Sequence, residues 1–187
     1  IYFTTVDGNY VGAPNGEALE VQTGIYSRSM FTAGTGAFPR TQPTPLMSFY
    51  ELKFIEAEAK FRTSDPTWET SLEEAIAASF LSKGLNAGSA TDYFTNEVAP
   101  LLTPGNELTE IMIQKYIAMY EAEAMEAYHD YRRTGIPEMN NPNNALVGFV
   151  NRLPYPLSEQ SSNSANVPSI NVFNDKVWWA GGQELIP

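Results

Sequence analysis

The chain contains no cysteine and one histidine, His129, among 187 residues. That excludes disulfides, thiolate metal sites, cysteine nucleophiles and thiol redox chemistry. It also removes the multi-histidine zinc sites. Positive charge is scarce: 11 Lys and Arg face 22 Asp and Glu, for a net charge of −11. No stretch is basic, so neither a nucleic-acid backbone nor an anionic lipid surface has a cationic footprint to meet. No uncharged apolar run approaches the roughly 18 residues of a membrane span. There is no phosphate-binding loop, no Gly-x-Ser-x-Gly elbow and no His-Glu-x-x-His. The chain opens Ile1-Tyr2-Phe3, with neither an initiator Met nor a signal peptide, and is expected to be a piece of something longer.

Apolar residues make up 43% and aromatics 12%, enough for one folded body and too little chain for two ordinary domains. Residues 1–43 are polar and rich in turn signals such as Asp7-Gly8-Asn9 and Gly34-Thr35-Gly36, and read as an irregular surface segment. A helical core follows over 44–135. The spacing predicts a first helix over 44–62, with Thr44 as N-cap, Pro45 at the first position and Leu46, Phe49, Tyr50, Phe54, Ala57 and Phe61 on one apolar face. Glu56/Lys60 and Glu58/Arg62 are i, i+4 pairs in the favourable order. After a Thr63–Thr70 linker, a second helix is predicted over 72–83, with Ser71 and Glu74 as a capping box and Gly84 as the stop. A short helix is expected near 90–97.

The longest helix is predicted over 107–133. Leu108, Ile111, Met112, Tyr116, Met119, Tyr120, Met125, Tyr128 and Tyr131 keep its period. Glu107 and Glu110 sit at its positive end and Arg132 and Arg133 at its negative end. From 136 to 187 the chain reads as an irregular tail, with a polar loop over Ser158–Asn166 and an aromatic plug at Val177-Trp178-Trp179. The fold class is therefore mostly α: antiparallel helix pairs of tetratricopeptide type, long irregular loops and an irregular tail, without a clean repeat of about 34 residues.

Chemistry-bearing groups are few. Paired glutamates on helices read as solvated faces rather than a glycosidase pair. His129 reads as a helix-end residue rather than a general base. The Asp130–Gly135 cluster reads as an internal clamp: a guanidinium there would satisfy carbonyls or carboxylates of the segment after Gly135. Trp68, Trp178 and Trp179 are candidate stacking platforms for sugar rings, weighed against anchoring roles. The Asn140–Asn144 loop offers oxygen ligands for calcium but has no carboxylate nearer than Glu138.

Several motifs occur in order: Tyr10-Val11-Gly12-Ala13-Pro14-Asn15-Gly16, then Pro45-Leu46-Met47-Ser48-Phe49-Tyr50-Glu51-Leu52-Lys53-Phe54-Ile55-Glu56-Ala57-Glu58-Ala59, then Gln114-Lys115-Tyr116-Ile117-Ala118. Glu126-Ala127-Tyr128-His129-Asp130-Tyr131-Arg132-Arg133-Thr134-Gly135-Ile136-Pro137 follows, then Arg152-Leu153-Pro154-Tyr155-Pro156 with Glu159, and finally Trp178-Trp179. This order resembles the C-terminal part of a SusD/RagB-type nutrient-binding lipoprotein of the SusD-like branch, over nearly the whole chain. The resemblance implies a single C-terminal portion, 1–187, of a larger SusD-like domain with tetratricopeptide-like helix pairs. It further implies a surface position on the outer membrane of Bacteroidetes-type bacteria, anchored through a lipidated cysteine outside this sequence. The implied role is non-catalytic: capture of an oligosaccharide, or sometimes a peptide, for a SusC-like TonB-dependent transporter. No catalytic, cofactor-binding or metal residue is implied, no cofactor is expected, and no family ligand residue carries over, so the ligand contacts are unassigned. The alternative is a helical-repeat scaffold that binds a protein or peptide partner through its concave face.

Overall fold

The computed structural model describes residues 5–12, 26–27, 46–120, 123–139 and 148–182. The chain forms two compact units, Thr41–Met139 and a second made of Ile1–Arg40 with Asn140–Pro187. Among the described residues there are helices and turns but no strand, only an isolated bridge between Val6 and Asn9. The mostly α class is as expected.

In the unit Thr41–Met139, α1 spans Phe49–Arg62, α2 Trp68–Ser82, α3 Ala87–Tyr93, α4 Glu107–Ala118 and α5 Ala124–Thr134. The proposed cap residues Thr44 and Pro45 lie outside the described residues. The cap is Ser48, whose Oγ accepts from Glu51 N–H at 3.0 Å. Both i, i+4 pairs are present, Lys60 Nζ to Glu56 at 2.6 Å and Arg62 Nε to Glu58 at 2.7 Å. Leu46 and Phe49 do not share the buried face. They are 93% and 64% exposed, whereas Tyr50, Phe54 and Ala57 turn toward Leu72, Ala75 and Ile76 of α2. Helices α1 and α2 are antiparallel: Phe61 meets Trp68 edge-on at 5.4 Å, Lys60 Nζ donates to Ser71 Oγ at 2.9 Å, and Lys53 Nζ pairs with Glu74 at 2.9 Å.

The start of α2 corrects the capping-box reading. Ser71 lies inside the helix, 1% exposed, and its hydroxyl serves Lys60 and Glu56 of α1. The N-cap is Thr67, held by Asp65 Oδ1, which accepts from both its N–H and its hydroxyl. Gly84 ends the segment as expected, at φ +76°. The short helix begins earlier than expected, at Ala87, because Asn86 accepts from Ser89 N–H; it then widens into a π turn over Phe94–Val98 and tightens over Ala99–Leu101.

The long helix over 107–133 is the main correction. It is broken: α4 ends at Ala118 and α5 begins at Ala124, with Glu123 as a non-helical N-cap at φ −127° and ψ 37°. No Gly or Pro lies between them, so the break comes from tertiary contacts. Glu123, 5% exposed, accepts from Ser48 N–H at 2.7 Å and Ser48 Oγ at 2.8 Å, across 75 residues. The period of Ile111, Met112 and Met119, all buried, is lost beyond the break, where Met125 and Tyr128 are exposed.

A second tether lies further along α5. Arg133 Nη1 and Nη2 grip both oxygens of Glu58 at 2.6 and 2.8 Å, again across 75 residues. Arg133 also holds Asp130 Oδ1 at 2.8 Å, and Asp130 Oδ2 pairs with the buried Lys115 at 2.7 Å. The arginine clamp is thus real, but its partner is a carboxylate on α1 rather than the segment after Gly135. Burial works to raise the Glu58 pKa, yet the hydrogen bonds from Arg133 and Arg62 outweigh it and hold the group below its ordinary value. Arg133 is correspondingly raised, first by its hydrogen bond to Glu58.

Glu51 behaves in the opposite sense. Burial and then the neighbouring Glu123 raise its pKa, against the attraction of Lys115 and with a lesser push from Glu126. The same surroundings push Tyr50 up to about 12, chiefly through burial.

In the other unit, the tail is less irregular than expected. Ser158–Asn166 is not a plain loop: α6 spans Leu157–Ser162 and a tight turn covers Ser164–Asn166. Pro156 stands at its N-cap, and Asn163 Nδ2 donates to Glu159 Oε2 at 3.0 Å one turn on.

Three substitutions test the buried and charged groups of the helical unit. Arg133→Ala strands the buried Glu58 and should cost about 1–3 kcal/mol in urea melts. Arg132→Ala, whose guanidinium lies 5.8 Å from the Tyr128 ring centre, should cost about 1 kcal/mol or less. Glu51→Gln should match wild type near pH 4 and become the more stable protein as pH rises. A native pKa above the unfolded value favours folding at low pH, and that advantage is lost as pH climbs through the raised value. Melts at pH 4, 6 and 8 check this; a variant less stable than wild type at pH 8 contradicts it.

Candidate functional site

The polar groups singled out in the helical unit do not assemble into a reaction site. His129 is exposed, with Nδ1 at 3.7 Å from Glu126 on the same helix. Three of the four buried acids have structural partners: Glu58 the arginines, Glu123 the start of α1, and Glu110 Gln114, whose Nε2 donates at 2.8 Å and whose Oε1 accepts from Tyr93 at 3.1 Å; the fourth, Glu51, is 5% exposed beside Glu123. Among the described residues, no group of three or more His, Asp or Glu is placed to hold a metal ion. The Asn140–Asn144 loop lies outside the described residues. Trp68 is half-buried and meets Phe61 edge-on at the α1–α2 corner, packed against the core of the helical unit. Trp178 and Trp179 do not form a buried plug: they occupy a tight turn over Trp178–Ala180, 75% and 52% exposed.

A cleft lies instead within the unit Ile1–Arg40 with Asn140–Pro187, wholly in its 154–172 stretch. Its volume is about 350 Å³. One wall is Tyr155, in the Pro-Tyr-Pro run whose prolines keep the chain extended. Val167, Ile170 and Val172 also line it, with Gln160, Ser164 and Ser169. No acidic or basic side chain lines it.

Backbone bonds close one end of this loop. Asn151 N–H and Arg152 N–H both donate to Val172 carbonyl oxygen, at 2.8 and 3.3 Å, and Asn151 Nδ2 donates to Phe173 carbonyl oxygen. At the other side Gln160 Nε2 donates to Tyr155 carbonyl oxygen at 2.6 Å and fixes α6 to the wall. The Arg152 guanidinium lies 5.7 Å from the Tyr155 ring centre, and its buried Nε has no hydrogen-bond partner. The ring is what that guanidinium rests on. Chemically, the cleft presents an aromatic plane, short hydroxyls and an amide, the equipment for binding a neutral polar ligand. It has no acid–base pair with which to cleave one.

None of the cleft residues was singled out as a ligand contact from the sequence. Their signal was generic: Pro and Ser are ordinary turn residues. The one distinctive part was Arg152-Leu153-Pro154-Tyr155-Pro156, which forms the stitched end and the aromatic wall.

No curated protein matches the chain. Residues 2–156 match the profile of a SusD-like family described as starch-binding associating with outer membrane. Members of that family are non-catalytic binding proteins. With most of its length matched, the chain belongs to the SusD-like family.

Proposed function

We propose that the protein is a non-catalytic subunit that captures a starch-type oligosaccharide at the outer membrane and passes it to a TonB-dependent, SusC-like transporter. The observation that carries this reading is the family match over residues 2–156. The uncharged, aromatic-walled cleft supports it, since neutral sugars are bound by aromatic planes and short hydrogen-bonding groups. Attachment at the cell surface would be through a lipid group carried outside residues 1–187, which contain no cysteine.

The second reading, a scaffold for a protein or peptide partner, is favoured by one feature. Helix α1 carries Phe49, Leu52 and Ile55 exposed on the side away from its core contacts.

Affinity electrophoresis through an amylopectin gel, with reducing-sugar assays on the same sample, separates these readings. Retardation in the gel without release of reducing ends is the expected result. Release of sugar would contradict the non-catalytic assignment, and unretarded migration would favour the scaffold.

A further inference from the structure

We propose that the heads of α1 and α5 are joined by a proton-operated catch: one proton held between the Glu51 and Glu123 side chains keeps it closed, and loss of that proton on raising the pH frees Ser48 from Glu123.

The geometry of the joint carries the proposal. Ser48 caps α1, and Glu123 stands in the cap position of α5. The Glu51 N–H donates to Ser48 Oγ at 3.0 Å, and that hydroxyl donates to Glu123 Oε2 at 2.8 Å. Ser48 N–H donates to Glu123 Oε1 at 2.7 Å. Glu51 therefore lies two hydrogen bonds from the Glu123 carboxylate, and both residues are 5% exposed. A carboxylate has about four acceptor positions, of which Ser48 uses one on each oxygen, so Glu123 can still accept from a protonated carboxyl. Two carboxyl groups sharing a buried place do not both ionise freely.

The surrounding charges do not relieve the pair. Lys115 of α4, 4% exposed, attracts Glu51 but gives its Nζ to Asp130 of α5 at 2.7 Å, and Asp130 also holds Arg133. Glu126 of α5 adds a further negative charge and has His129 as its own neighbour at 3.7 Å. Tyr50 of α1 is buried beside the pair, and its phenol is pushed up to about 12. Among the described residues, no N–H and no hydroxyl donates to the Glu51 carboxyl. Burial and then Glu123 raise the Glu51 pKa, which is the direction a retained proton requires.

While protonated, the Glu51 carboxyl donates to the Glu123 carboxylate in a charge-assisted bond. Once it ionises, the two like charges part. Glu51 sits in the first turn of α1, whereas Glu123 sits in the break after α4, so Glu123 is the side that yields. Glu58 is held below its ordinary value by its arginines, so its pair with Arg133 stays charged and the opening is confined to the two heads.

The test is NMR on the full chain between pH 4 and 8, following the Glu51 side-chain carboxyl carbon and the Ser48 amide proton. The carboxyl should titrate above the ordinary glutamate range. The Ser48 proton should move upfield on the same curve, because it loses its bond to Glu123. In Glu51→Gln, whose amide can donate to Glu123 at every pH, the Ser48 shift should be lost. His129→Gln should leave the curve in place. A Glu51 carboxyl that titrates within the ordinary range overturns the proposal. So does a Ser48 proton that stays fixed or moves downfield while Glu51 titrates, since its bond to Glu123 then survives ionisation. A curve that persists in Glu51→Gln, or vanishes in His129→Gln, assigns the transition to another group and overturns it too. If Glu51→Gln fails to fold, the two wild-type curves decide alone.

Discussion

The helical unit depends on two carboxylates that cannot be left alone. Glu58 and Glu123 are each about 95% buried, at 6% and 5% exposure, and each finds its partner 75 residues away. Arg133 reaches from α5 to Glu58 on α1, and Ser48 at the head of α1 is gripped by Glu123 at the head of α5. Breaking a buried ion pair or stranding a buried carboxylate costs several kcal/mol. Interrupting a helix gives up a few backbone hydrogen bonds worth about 1 kcal/mol each. With two tethers on one side of that balance, the interruption between α4 and α5 is the cheaper choice. A straight helix over 107–133 would run on the order of 40 Å and carry Glu123 and Arg133 along one fixed axis.

Local features of the helices were legible in the sequence because their causes are local. Most of the α1 period, the i, i+4 pairs on α1, and the glycine stops at Gly84 and Gly135 all act within a turn or two. What was illegible is equally specific. Ser71 reads as an N-cap by type and spacing, but Lys60 and Glu56 of the neighbouring helix take its hydroxyl and the helix starts four residues earlier than its spacing predicts. Met119–Glu123 contains no Gly, Pro or β-branched residue, so nothing in its composition announces a break. Arg133 was recognisable as a clamp by its place in the last turn, yet its partner is set by how α5 lies on α1.

The cleft illustrates the same limit from the functional side. Tyr155, Gln160 and Ser169 have no pattern that marks them as ligand contacts; they become one surface only when 151–152 is bonded to 172–173. Family membership was legible through the order of several loose motifs, and the matched span of residues 2–156 ends at the proline that caps α6. The aromatic pair Trp178-Trp179, the most conspicuous sugar-binding candidate by composition, does not line the cleft.

The central claim is that tertiary tethers, and not the local sequence, interrupt the helix between α4 and α5. NMR secondary chemical shifts on a peptide covering residues 105–136 test it most directly, because the peptide has neither Ser48 nor Glu58. Helical shifts continuing through residues 119–123 are the predicted result. A persistent loss of helical shifts at those residues in the isolated peptide would show that the break is written locally, and would contradict the account.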